Sequence, residues 1–167
     1  MMMHSMSVLT MDRFLAALSA ILTKAEAHCE AKKITPDALL QFRLFPDMLP
    51  MIVQVRLTCD FAARASARLA GTSPKSFPDT ETTFAELQTR IRAARDYMHE
   101  FGPAQFEGAE TRAIVFPAGG REMTLSGQDY LSLYALPQVF FHMTTAYNIL
   151  RHNGVELGKR DYMGASL

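Results

Sequence analysis

The chain has 167 residues, about one domain at roughly 150 residues per domain, and is long enough to bury a core without a disulfide or metal staple. Hydrophobic residues make up 49% and charged residues 20%, which excludes intrinsic disorder. Lys+Arg 17 balances Asp+Glu 17, so neither a nucleic-acid partner nor a polybasic membrane patch is expected.

In chain order, residues 1–9 read as a frayed start. There is no basic leader region, and Asp12-Arg13 interrupts before any long apolar run, so neither a signal peptide nor a membrane span is expected. From Met11 to Lys33 the residues Phe14, Leu15, Leu18, Ile21, Leu22, Ala25 and Cys29 recur at helical spacing, with Thr10 as N-cap. This first helix would be about 34 Å long, a length suited to a bundle. Ile34 to Phe45 is a connection. A second helix runs from Pro46 or Asp47 to Leu69 and stops at Gly71. Cys29 and Cys59 sit inside these helical patterns, in no CxxC, and read as small buried hydrophobes in a reducing cytosol.

Thr83-Phe-Ala-Glu86 is a capping box opening a third helix, whose stripe is Phe84, Leu87, Ile91, Ala94, Met98 and Phe101. Ala113–Phe116 and Glu122–Leu125 flank Pro117–Gly120 and read as a small β-hairpin with a four-to-five-residue turn. A fourth helix begins near Ser126 and ends near Asn153, where Gly154 supplies the left-handed cap. Pro137 lies in its interior, releasing the carbonyl of Leu133 and kinking the helix. The tail, residues 155–167, folds back over the bundle end. The fold class expected is all-α: one four-helix bundle over residues 1–167, with a long crossover carrying the hairpin between helices three and four.

The fourth helix carries the candidate site. It is aliphatic or aromatic over most of Leu133 to Leu150, yet Gln138, His142 and Thr145 share one face. Such a row inside an apolar helix costs several kcal/mol unless its members find partners. It reads either as a pocket near Pro137 or as a satisfied network that sets helix register. Metal ligands on one helix want His-x-x-x-His or Glu-x-x-His, and four residues after His142 stands Ala146. His142, Asp47 and His28 are the residues left to converge on a metal. Asp47 is otherwise a cap of the second helix. The arginines 56, 64, 68, 90, 92 and 95 read as a solvated helix face, balanced by Asp60, Glu81, Glu86 and Asp96. His99 reads as a solvated partner of the helix dipole. Gly154-Val-Glu-Leu-Gly158-Lys159-Arg160 fails as a P-loop, being one residue short with no Ser or Thr after Lys159, and there is no Gly-x-Ser-x-Gly elbow.

Several runs together carry a resemblance: Leu44-Phe-Pro-Asp-Met-Leu-Pro50, Cys59-Asp-Phe-Ala62, Gly127-Gln-Asp-Tyr-Leu131, and above all Phe141-His-Met-Thr-Thr-Ala-Tyr147 with Ile149-Leu-Arg-His-Asn-Gly-Val155. The chain resembles an uncharacterised bacterial family placed in the DinB/YfiT-like metalloenzyme superfamily, from about Thr10 to Gly164. The resemblance implies a DinB-like four-helix bundle, commonly a homodimer. Metal-binding members use a His near the start of helix two and a His-x-x-x-His pair on helix four. With Ala146 in the pair and only Asp47 and Gln54 on helix two, a three-His site reads as dismantled.

Three functional readings follow. The first is a cytoplasmic binding module that holds a small molecule in a largely apolar cavity, with Asp47, Gln54, Gln138, His142 and Tyr147 as polar contacts and no cofactor. The second is a metal-dependent transferase or hydrolase built on a reorganised site around His142, with a divalent transition metal. The third is a structural protein acting through its dimer surface. Homodimerisation is expected because helices two and four carry more apolar surface than one bundle interior needs.

Overall fold

The protein, described here from a computed structural model, is defined over residues 2–164. Helix α1 spans Met2–Lys32, with a wide π turn at Ser5–Leu9. The expectation of a frayed start is corrected for residues 2–9, while Met1 lies outside the described residues. Met3, Ser7 and Val8 extend the inner stripe and are buried. His4 Nε2 lies 3.2 Å from the Phe101 carbonyl. Thr10 is therefore mid-helix and donates back to the Ser5 carbonyl at 3.1 Å instead of capping. By length and a mean hydropathy of 1.4, α1 would suffice to cross a membrane. Its inner residues Leu15, Leu18, Ile21 and Leu22 are fully buried in the bundle.

The connection that follows contains a short helix, α2 (Pro36–Leu40). Helix α3 (Met51–Leu69) then starts later than expected, directly after the extended Pro50. A residue before proline is steered out of the helical region, so Leu49-Pro50 stops any helix begun at Asp47. Helix α4 (Phe84–His99) has its capping box in place. The Glu86 amide donates to Thr83 Oγ1 at 3.2 Å, and the Thr83 amide donates to Glu86 Oε2 at 3.0 Å. Its expected stripe is buried throughout.

Strands β1 (Ala113–Ala118) and β2 (Arg121–Ser126) pair antiparallel, Ala113 opposite Ser126 and Ala118 opposite Arg121. The turn is shorter than expected, only Gly119-Gly120. Both glycines take positive φ (59° and 77°), which lets a two-residue turn match the strand twist. Ser126 caps helix α5, residues 127–152, by accepting from the Asp129 amide at 3.1 Å. The helix widens to a π segment at Tyr130–Ala135, just ahead of Pro137. A local widening there absorbs the hydrogen bond that proline removes. Helix α6 (Lys159–Met163) lies against α1 and α5. Lys24 pairs with Asp161 at 2.7 Å, and Thr144 Oγ1 donates to the Tyr162 hydroxyl at 2.9 Å. Residues 165–167 of the tail lie outside the described residues.

The bundle is α1, α3, α4 and α5. Asp12 meets Arg95 and Ser19 meets Gln88, so α1 and α4 run antiparallel. Gln54 meets His142 and Arg68 meets Tyr130, so α3 and α5 also run antiparallel. By contrast, Arg56 meets Glu81 near the start of α4, while the Leu69 carbonyl meets Arg112 beyond its end, so α3 and α4 are parallel. Residues 70–83 therefore travel the length of the bundle. The connection carrying the hairpin lies between the third and fourth bundle helices, as expected. The core gathers Met11, Leu18, Met51, Val55, Leu87, Met98, Met143 and Ile149.

Candidate functional site at the seam of helices α3 and α5

Two buried polar groups meet where α3 crosses α5. Gln54 on α3 is 2% exposed and His142 on α5 is 7% exposed. His142 Nδ1 lies 2.7 Å from Gln54 Oε1. The other end of the Gln54 amide is also used, since Nε2 donates to the Leu49 carbonyl at 3.0 Å. The Leu49-Pro50 break that delays α3 thus supplies a free carbonyl that orients Gln54. Thr58 closes the Gln54 carbonyl at 2.8 Å, and Thr145 returns its hydroxyl to Phe141 at 2.7 Å. Phe61 lies nearly parallel to the imidazole (8°, centroids 5.4 Å apart), and Phe141 meets it edge-on at 5.2 Å. Burial pushes the His142 imidazole down from its usual 6.5 to about 4, so it is neutral at pH 7.

The other expected site residues divide. Gln138 is half-buried one turn before His142, on the same face of α5. Asp47 lies in an exposed turn ahead of α3, with no hydrogen bond or ion pair to His142. Tyr147 faces the C-terminal segment, its ring 5.9 Å from Tyr162. His28 sits at the far end of α1, beside Gly154. His142, Asp47 and His28 therefore do not converge, and the described residues contain no group of three His, Cys, Asp or Glu able to hold a metal. The donor set does not fit the three-His metal that the resemblance implies. Cys59 is no nucleophile either: burial pushes its thiol up to about 12.

A second polar cluster joins α3, residues 78–81 and α4. Arg90 is 3% exposed. It donates to Asp60, to Glu81 Oε1 at 3.0 Å and to the Pro78 carbonyl at 2.8 Å, and it reaches Asp79 at 3.5 Å. Arg64 holds the second oxygen of Asp60 at 2.7 Å, and Arg56 holds Glu81 at 2.9 Å. Burial alone would lower the Arg90 guanidinium, but Asp60 and Glu81 outweigh it and raise it. The Phe77 ring covers the guanidinium at 4.8 Å, and a cleft of about 270 Å³ opens between Phe77 and the Glu86, Thr89 and Ala93 face of α4. The expectation of a wholly solvated arginine face is thus corrected at Arg90. Its position was legible in the sequence, three residues after Leu87 and four before Ala94, on the buried stripe. His99 is likewise drawn into a pair, 3.1 Å from Asp12.

A family model described as a domain of unknown function (DUF1993) matches residues 3–163. The chain belongs to the DUF1993 family. Among solved structures, a DinB family member protein from Shewanella denitrificans is 42% identical, with a TM-score of 0.93 over 99% of this chain and 93% of that one. This DUF1993 chain therefore has an all-α, DinB-like fold. No curated protein matches it.

Proposed function

We propose that this DUF1993 chain is a small-ligand-binding module whose site is the α3–α5 seam at His142, Gln54 and Gln138. The observation that carries the reading is the Gln54–His142 pair. A neutral imidazole is held in one orientation by an amide that is itself held by Leu49, and aromatic rings wall it on two sides. Such preorganisation, with few polar groups in an apolar setting, is what orients a small ligand. Asp47 and Tyr147 lie outside this arrangement.

Apolar side chains left exposed on α5 support pairing of two copies. Leu133 is 69% exposed and Phe141 56% exposed on α5, and Phe61 on α3 is half-buried. Sedimentation at micromolar concentration is expected to give a dimer, and a monomer refutes that part.

The module reading is tested by thermal shift with a library of small aromatic and heterocyclic fragments on the protein and on His142→Leu. Fragments that stabilise the first and not the second support it. A purely structural role for the pair is favoured by its mutual hydrogen bond, and it predicts no fragment that distinguishes the two proteins.

A further inference from the structure

The hydrogen bonds at His142 decide which of its nitrogens bears the proton. If the Gln54 amide were turned over, its oxygen would face the Leu49 carbonyl at 3.0 Å, two acceptors in contact. The amide oxygen must therefore point at His142 Nδ1, 2.7 Å away. An amide oxygen only accepts, so Nδ1 carries the hydrogen. A neutral imidazole has one such hydrogen, which leaves Nε2 as a lone pair.

Nε2 has no partner among the described residues, and it is not among the buried side-chain atoms left without one. It therefore keeps some contact with the surface, on a ring that Phe61 stacks against and Phe141 meets edge-on. One turn away, the Gln138 amide also has no hydrogen-bond partner among the described residues. The nearby cations on α3 are engaged: Arg64 with Asp60 at 2.7 Å, and Arg68 with the Tyr130 hydroxyl at 3.0 Å. The seam thus offers a fixed acceptor, two neighbouring aromatic rings and an adaptable amide, and Arg64 and Arg68 beside it are already engaged.

We infer that the site recognises a small planar molecule through one hydrogen-bond donor, an N–H or O–H delivered to His142 Nε2, and rejects planar molecules that present an anion or no donor there. This rests on the module reading above and specifies its ligand class. The lone pair repels a carboxylate as surely as it accepts a hydroxyl. The preference is set by the Gln54–Leu49 contact, on the inner side of the ring.

Two measurements on the full chain test it. Long-range proton–nitrogen NMR of the free protein at pH 7 is expected to show His142 protonated at Nδ1 and bare at Nε2. A proton on Nε2 overturns the inference, whatever binds. Titrations with phenol, anisole and benzoate then compare one ring bearing a donor, no donor and an anion. Phenol is expected to move the Nε2 resonance and to bind about fivefold tighter than anisole, the worth of one net hydrogen bond. In Gln54→Leu that preference is lost. Anisole or benzoate binding as well as phenol overturns the inference, and so does silence from all three. Fragment hits that depend on His142 would meanwhile leave the module reading standing.

Discussion

Acidification weakens this fold in part through one histidine. The His142 imidazole titrates near 6.5 in the unfolded chain and near 4 when folded, because burial disfavours its charged form. Between those values the unfolded chain holds a proton that the folded chain does not. Stability therefore falls as pH drops through this window and is unaffected by this group above it. At about 1.36 kcal/mol for each tenfold change in proton affinity, the full loss is about 3 kcal/mol, of which about 2 kcal/mol is reached by pH 5. Urea denaturation at pH 7, 6, 5 and 4.5 measures it, with His142→Leu as the control that cannot titrate. The wild-type chain is expected to lose about 2 kcal/mol more than the variant between pH 7 and pH 5. Acidic groups such as Asp12 and Asp161, whose partners hold them below the usual range, weaken both proteins alike and cancel in the difference. Parallel pH profiles for the two proteins would refute the assignment of a buried, neutral His142.

Arg90→Met leaves Asp60 and Glu81 buried beside fewer cations, and the expected loss is about 3–5 kcal/mol by urea denaturation at pH 7. A loss below about 1 kcal/mol would mean that water reaches the cluster. Gly127→Ala places a methyl group 1.9 Å from the Ala109 carbonyl oxygen, so the backbone must separate, and a loss of about 1–3 kcal/mol is expected. An unchanged or raised melting temperature would contradict that close approach.

Much of the fold was legible because it rests on local rules. The Thr83 capping box, the inner stripe of α4, the hairpin and the Ser126 start of α5 each follow from side chains within a turn or two of the feature they produce. The N-terminal boundaries of α1 and α3 were missed for different reasons, one tertiary and one local. The methionines before Ser7 carry little helical signal by themselves, but the bundle offers Met3 and Val8 a place to be buried. At α3, the stop imposed by Pro50 outweighs the apolar residues before it. For the site, the polar row on α5 marked His142 correctly as a residue needing a partner. Gln54 was a candidate on another helix, and spacing along α5 cannot say which helix faces which.

The sequence by itself determined that this is a neutral, single-bundle chain with four main helices, an inserted hairpin and a polar row inside its most apolar helix. Periodicity, capping and turn chemistry act over a few residues, so they can be read without the fold. Only the tertiary structure decided that α3 and α4 run parallel, that Arg90 is sealed among carboxylates, and that Gln54 rather than Asp47 meets His142. Those outcomes depend on residues far apart in the chain, 30 positions for Asp60 and Arg90 and 88 for Gln54 and His142, brought together by packing and by the demand that buried polar groups find partners.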